Sequence, residues 1–161
     1  MSNSSSWFSS VPVQQAFNWN FSQTTPMQVT QTNPNHNYQE ISKNFMESFI
    51  SSNNLGINYI GHHYTLDARI SIVVHQGFGN HMYELVGYTN LKLKMAELNI
   101  NTIKYSNIFY TPQLLGKNSI VITTFGKAEI NNNQHNIMAT YIVRMTNGMP
   151  KITNHILDIF V

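Results

Sequence analysis

The sequence predicts an α+β domain in which three helices pack on one curved antiparallel sheet. Two observations carry this. Tyr38, Ile41, Phe45, Met46 and Phe49 repeat at three and four residues, which puts them on one apolar stripe of a helix. From Gly87 to Val161, one short helical stretch is followed by alternating β-branched segments, each separated from the next by a polar hinge.

Residues 1–37 are rich in Ser, Gln, Asn and Thr, contain Pro12, Pro26 and Pro34, and hold no period of 2 or 3.6. They read as a disordered or strap-like polar tail. Trp7, Phe8, Phe17, Trp19 and Phe21 give it anchoring groups, for its own domain, a second copy or another protein. The domain is expected over residues 38–161. Its first helix runs from Tyr38 to about Ser51, and Ser51-Ser52-Asn53-Asn54 ends it. A second short helix is expected over Leu55 to Tyr64, with Leu55, Tyr59 and Ile60 inward and Asp67 in the turn that follows. Ala68 to Gln76 reads as a strand, Gly77-Phe78-Gly79-Asn80 as a hairpin turn, and Met82 to Val86 as the returning strand. A third helix covers Leu91 to Leu98, capped by Thr89 or Asn90.

Four strands close the chain: Ile103–Leu114, Ser119–Ile130, His135–Thr146 and Lys151–Val161. Pro112 places the first of these at an edge or bulge. On the second, Ile120, Ile122, Thr124, Gly126 and Ala128 share one face, and Val121, Thr123, Phe125, Lys127 and Glu129 share the other. Both faces carry apolar groups. Helices cover one, so the other calls for a second subunit or a bound partner. Gly126 in mid-strand marks a bend or a close approach.

Composition narrows the function. Charged residues make up only 10% of the 161 positions and the net charge is +2. Lys and Arg are scattered, which argues against nucleic acid, whose phosphates require clustered cations. No apolar stretch reaches the length of a membrane span. The first residues have neither a basic nor an apolar leader region, so the reading is a soluble intracellular protein. The absence of cysteine excludes thiolate chemistry and Cys-ligated zinc. Enrichment in Asn and Ile matches the codon usage of an AT-rich genome, as in giant DNA viruses or some protists.

Several stretches resemble the nuclear transport factor 2-like family, and its transport-factor subgroup more than its ketosteroid-isomerase-like enzymes. They are Ile41-Ser42-Lys43-Asn44-Phe45, Leu55-Gly56 with Tyr59-Ile60, Gly87 before the third helix, Phe125-Gly126-Lys127-Ala128-Glu129, and Thr153-Asn154-His155-Ile156-Leu157. The resemblance covers residues 38–161. It implies a cone of helices on a curved sheet and a homodimer paired through that sheet. It also implies binding of Phe-Gly segments at an exposed aromatic, where Tyr38 stands, and binding of the Ran GTPase through acidic residues. Of those acids, Glu129 fits one position, Asn131 stands at the second, and His75-Gln76 stands at the third. Losing two carboxylates removes most of the field such a contact uses and argues against Ran.

The family's enzymes would need an Asp or His in the cone with a hydrogen-bond donor beside it. Asp67, His75 and Asp158 are the candidates, with Tyr59 among the donors. No Ser-His-Asp order, phosphate loop or cofactor motif accompanies them. The seven histidines lack metal-ligand spacing, so no metal or cofactor is expected. The leading expectation is a non-enzymatic homodimeric module that takes a short aromatic peptide segment, with Tyr38, Glu129, Asn131 and Phe125 as contact residues. The alternatives are a small-molecule isomerase or dehydratase and a viral assembly component.

Overall fold

The computed structural model describes residues 37–161; the polar tail assigned to residues 1–37 lies outside that range except for Asn37. Helix α1 spans Asn37–Leu55 and buries Ser42, Phe45, Met46, Phe49 and Asn53. Ser42 is the polar member of that stripe, and its hydroxyl donates to the Tyr38 carbonyl one turn earlier at 2.6 Å. Gly56, at φ 129°, terminates the helix in a conformation closed to other residues.

The expected second helix over Leu55–Tyr64 does not form. The chain instead makes two single 3-10 turns, Ile57–Tyr59 and Gly61–His63. The Ile57 carbonyl, which an α-helix would bond internally, accepts the Tyr88 hydroxyl at 2.7 Å. Gly61 lets the Tyr88 ring approach so closely that an added Cβ would lie 2.6 Å from it. Leu55 and Tyr59, expected to face inward, are exposed, and only Ile60 is buried. The described residues therefore hold two α-helices rather than three N-terminal ones. The second, α2, spans Tyr88–Glu97 and buries Leu91 and Met95.

The described residues form six strands, in chain order β1 Tyr64–Gln76, β2 Gly79–Val86, β3 Ile103–Leu115, β4 Ser119–Ile130, β5 Asn133–Thr146 and β6 Met149–Phe160, with α2 between β2 and β3. They form one sheet in the order β2-β1-β6-β5-β4-β3. The sheet is mixed, not purely antiparallel, because β6 pairs parallel to β1. α2 carries the chain from the β1–β2 hairpin to the far edge, and three antiparallel returns bring the last strand back beside the first. β1 begins earlier than expected. Asp67 is thus inside the strand, at the break in register between Tyr64 and Arg69, and not in a turn.

Pro112 lies on β3, an edge strand, where its missing N–H is tolerated. The close approach expected at Gly126 is present. β3 shifts register between Ser106 and Phe109, and a Cβ on Gly126 would meet the Asn107 carbonyl oxygen at 2.5 Å. Asn131-Asn132 and Asn147-Gly148, all at positive φ, close the two tight turns between the last three strands.

The inner face of the sheet carries Ile70, Ile72, Ile122, Ala139, Val143, Ile152 and Leu157, all buried under α1 and α2. Phe49 enters from α1 and is fully buried. Replacing it with Ala should lower the unfolding free energy by about 3–5 kcal/mol, read from urea titrations.

Candidate functional site

Aromatic and imidazole rings pack inside the cone around Phe49. The Phe49 ring lies 5.3 Å from Tyr141, 5.4 Å from His63, 6.3 Å from Tyr64, 6.4 Å from His155 and 6.5 Å from Tyr105. Each strand places its residue there by the period of two. Tyr64 comes from β1, Tyr105 from β3, Tyr141 from β5 and His155 from β6. The Tyr64 hydroxyl and His155 Nδ1 share a hydrogen bond of 2.9 Å, and His155 stacks on Tyr141 at 4.5 Å. His155 Nε2 is buried with no hydrogen-bond partner among the described residues.

Burial disfavours charge on all of these groups. It pushes His155 down to about 3, raises Tyr105 to about 12, and raises Tyr64 and Tyr141 well above the usual phenol range. His63 is lowered to about 4, first by burial and then by the charges of His62 and Lys151.

Among the described residues, no helix covers the outward face of the sheet. Strand register lines up Met82, Val73, Asp158, Met138, Phe125 and Phe109 across it from β2 to β3. Phe109 and Phe125 stack at 5.4 Å. Met82, Val86, Phe109, Phe125, Met138, Ile156 and Phe160 are all exposed. Their apolar area, on the order of 600 Å², reaches the size of the largest patch an ordinary monomer shows. Within this face His75 Nε2 lies 2.8 Å from Asp158 Oδ1, and His75 Nδ1 lies 3.0 Å from Asn80 Oδ1. Phe160 stacks flat on the same imidazole at 4.4 Å.

A separate groove of about 360 Å³ runs between α1 and the β5–β6 turn. Ile41, Phe45, Met145, Met149 and Pro150 supply its apolar lining, and Asn44, Ser48, His62, His63 and Lys151 its polar lining. Lys151 Nζ donates to the His62 carbonyl, tying the second 3-10 turn to β6.

The structure thus separates the residues singled out from sequence. His75 and Asp158 meet, but on the outward face. Asp158 shares that side of β6 with Ile156 and Phe160, as the alternation requires. Asp67 and Tyr59 are exposed and bracket the start of β1, away from that pair. Phe125 is on the open face. Glu129 pairs with Lys104 at 3.2 Å, and Asn131 forms the turn after it. Tyr38 is half-buried against the core, one turn before Ile41 of the groove. The groove residues His62, His63, Met145 and Met149 carried no periodic signal. The tight Asn147-Gly148 turn ahead of Met149 and Pro150 was their one sequence cue.

This arrangement is the nuclear transport factor 2-like fold. The chain superposes on nuclear transport factor 2 from Cryptosporidium parvum with a TM-score of 0.58, at 13% identity, over 76% of this chain and 94% of that one. It superposes on the yeast UBP3-associated protein Bre5 with a TM-score of 0.56, at 16% identity, over 75% and 95%. A ketosteroid isomerase-like protein from Parabacteroides distasonis gives 0.57 at 11% identity, over 80% and 92%. Binding modules and isomerase-like proteins therefore share this fold, and the subgroup is not resolved by it. No protein-family model matches the chain. In sequence it is similar to the uncharacterized protein L295 of Acanthamoeba polyphaga mimivirus, 29% identical in a 134-residue alignment that covers 76% of this chain and 64% of that protein. The chain thus spans just under two thirds of this viral relative. No helix among the described residues is long and apolar enough to cross a membrane.

The two buried histidines set an acid limit. Both are neutral in the fold and take up a proton on unfolding, so their contribution is whole above pH 6.5 and shrinks as the pH falls toward 4. Urea titrations should lose about 2.5 kcal/mol per pH unit near pH 5, the uptake of about two protons, and His155→Phe should lower that slope to about one.

Proposed function

We propose that this chain is a non-enzymatic, homodimeric protein-binding module that pairs through the outward face of its sheet. The observation that carries this is the inversion of its surfaces. The interior is packed with Phe49, Tyr64, Tyr105, Tyr141 and His155, while a row of Met and Phe side chains is left outside. An isomerase or dehydratase needs a ligand-sized hollow with its acid or base at the floor. Here Asp67 and Tyr59 are exposed, and His75 and Asp158 belong to the outward face. The apolar patch comes close to the roughly 800 Å² per partner of a stable interface. Bre5 is described as a protein associated with UBP3, which favours a binding role among the structural neighbours. A mimivirus relative keeps a viral assembly role as the second reading.

The groove between α1 and the β5–β6 turn suits a short aromatic segment of another protein, a Phe-Gly peptide being the simplest probe. Ile41, Phe45, Met145 and Met149 offer it an apolar floor. Tyr38 stands one helical turn away. With Glu129 already paired to Lys104 and Asn131 uncharged, an acidic contact of the Ran type has little support.

Light scattering at micromolar concentration should return the mass of two chains, and Phe125→Asp should return one chain with unchanged circular dichroism. A single-chain mass for the wild type would sink the dimer. A fluorescent Phe-Gly peptide should bind the wild type and bind Met149→Asp at least about tenfold more weakly. Equal binding by wild type and Tyr38→Ala would remove Tyr38 from the contact.

A further inference from the structure

We propose that the open face closes as a twofold pair in which the stacked Phe109 and Phe125 of each copy seat in a recess beside β1 of the other. This rests on the reading of that face as the dimer surface, and it assigns which strands meet across it. The two ends of the face differ in relief. At the β3–β4 end, Phe109 and Phe125 stack at 5.4 Å and are both more than half exposed, so they stand up as one knob. Toward β2, a recess of about 500 Å³ opens among Arg69 and Ser71 of β1, Glu84 and Val86 of β2, and Asn154 and Ile156 of β6. Pockets of roughly 300–1,000 Å³ take compact organic groups, so two phenyl rings fit within it.

The strand order makes knob and recess complementary. In the order β2-β1-β6-β5-β4-β3, a twofold axis running along the strands between β6 and β5 sets β1 over β4 of the second copy and β2 over its β3. Knob then meets recess twice, once on each side of the axis, as an isologous contact demands. Glu84, Ser71, Ile156, Thr140, Thr123 and Thr111 form one row across the face, next to the row of Phe125 and Phe109. Such rows are two residues, about 7 Å, apart. Aligned sheets cross at about 30°, which displaces facing rows by a similar distance, about 4–6 Å, at β4 and β3. An axis running across the strands would instead lay each strand over its own copy. Recess would then face recess, leaving a hollow that close packing does not tolerate.

The lining suits aromatic rings. Val86, Ile142 and Ile156 supply apolar contact. Arg69 is exposed and has no ion-pair partner among the described residues, and its guanidinium can lie on the face of an entering ring. Glu84, likewise exposed and unpaired, falls over Thr111 of the second copy, whose hydroxyl can donate to it.

The test is cross-linking of the full chain, which has no cysteine of its own. Ser71→Cys combined with Thr123→Cys places thiols on β1 and β4. Within one chain these positions are three strands apart, roughly 14 Å, beyond the reach of a short bismaleimide. A link between copies doubles the mass on a denaturing gel. The combined variant should go mainly to the doubled mass, while each single variant stays at the mass of one chain. Glu84→Cys with Thr111→Cys, on β2 and β3, is a second pair and should behave alike. Ser71→Trp fills the recess and should raise the dissociation constant about tenfold or more with unchanged circular dichroism. If both paired variants stay dimeric by light scattering yet fail to cross-link, the inference is overturned and the dimer stands. Single variants that cross-link as well as the pairs overturn it equally, as does a Ser71→Trp constant within about twofold of the wild type. A wild type with the mass of one chain overturns the dimer reading itself.

Discussion

The ring of Phe49 enters the hollow of the sheet where four strands present an aromatic or imidazole ring, and the rest of the fold is arranged around that contact. Tyr64, Tyr105, Tyr141 and His155 come from β1, β3, β5 and β6, strands that are not all neighbours in the sheet. A flat sheet could not bring them to one ring, so the curvature and the helix contact require one another. The register break in β3 beside Gly126 is one place where the curvature is made. The interior also holds polar atoms it charges only at high cost, the three phenols and His155. Such groups specify a single packing more than they add stability.

Beside the ring cluster inside, two surfaces stand outside. The open face and the α1 groove are built from different elements and differ in shape, one broad, the other narrow. The fold itself is neutral on this choice, since binding proteins and isomerase-like proteins share it.

Much of the architecture was legible from period alone. The stripe from Tyr38 to Phe49 and the alternation on β4 reappear residue for residue in α1 and in the two faces of the sheet. The misreadings share a cause. Ile57 to His63 looked helical by apolar spacing, but the Tyr88 hydroxyl and the Gly61–Tyr88 contact are tertiary and leave no local trace. The parallel pairing of β1 with β6 and the His75–Asp158 contact join residues more than eighty positions apart, beyond any window of periodicity. The Asn bias matches the codon usage of an AT-rich genome. Yet Asn99, Asn107, Asn131, Asn132 and Asn147 all sit at positive φ, where asparagine is tolerated better than other residues that carry a side chain.

The parallel ladder between β1 and β6 also governs how the molecule comes into being. The two strands stand at opposite ends of the domain, and β6 is hydrogen-bonded on both sides, to β1 and to β5. On the ribosome, β1 and β2 can pair early, but the sheet stays in two pieces until the final strand emerges to join them. Closing so long a loop is slow. Until it closes, the edges of β1 and β5 remain unpaired and the apolar inner face is open to other nascent chains. The arrival of β6 is therefore the step on which folding of this sheet, and escape from aggregation, depends.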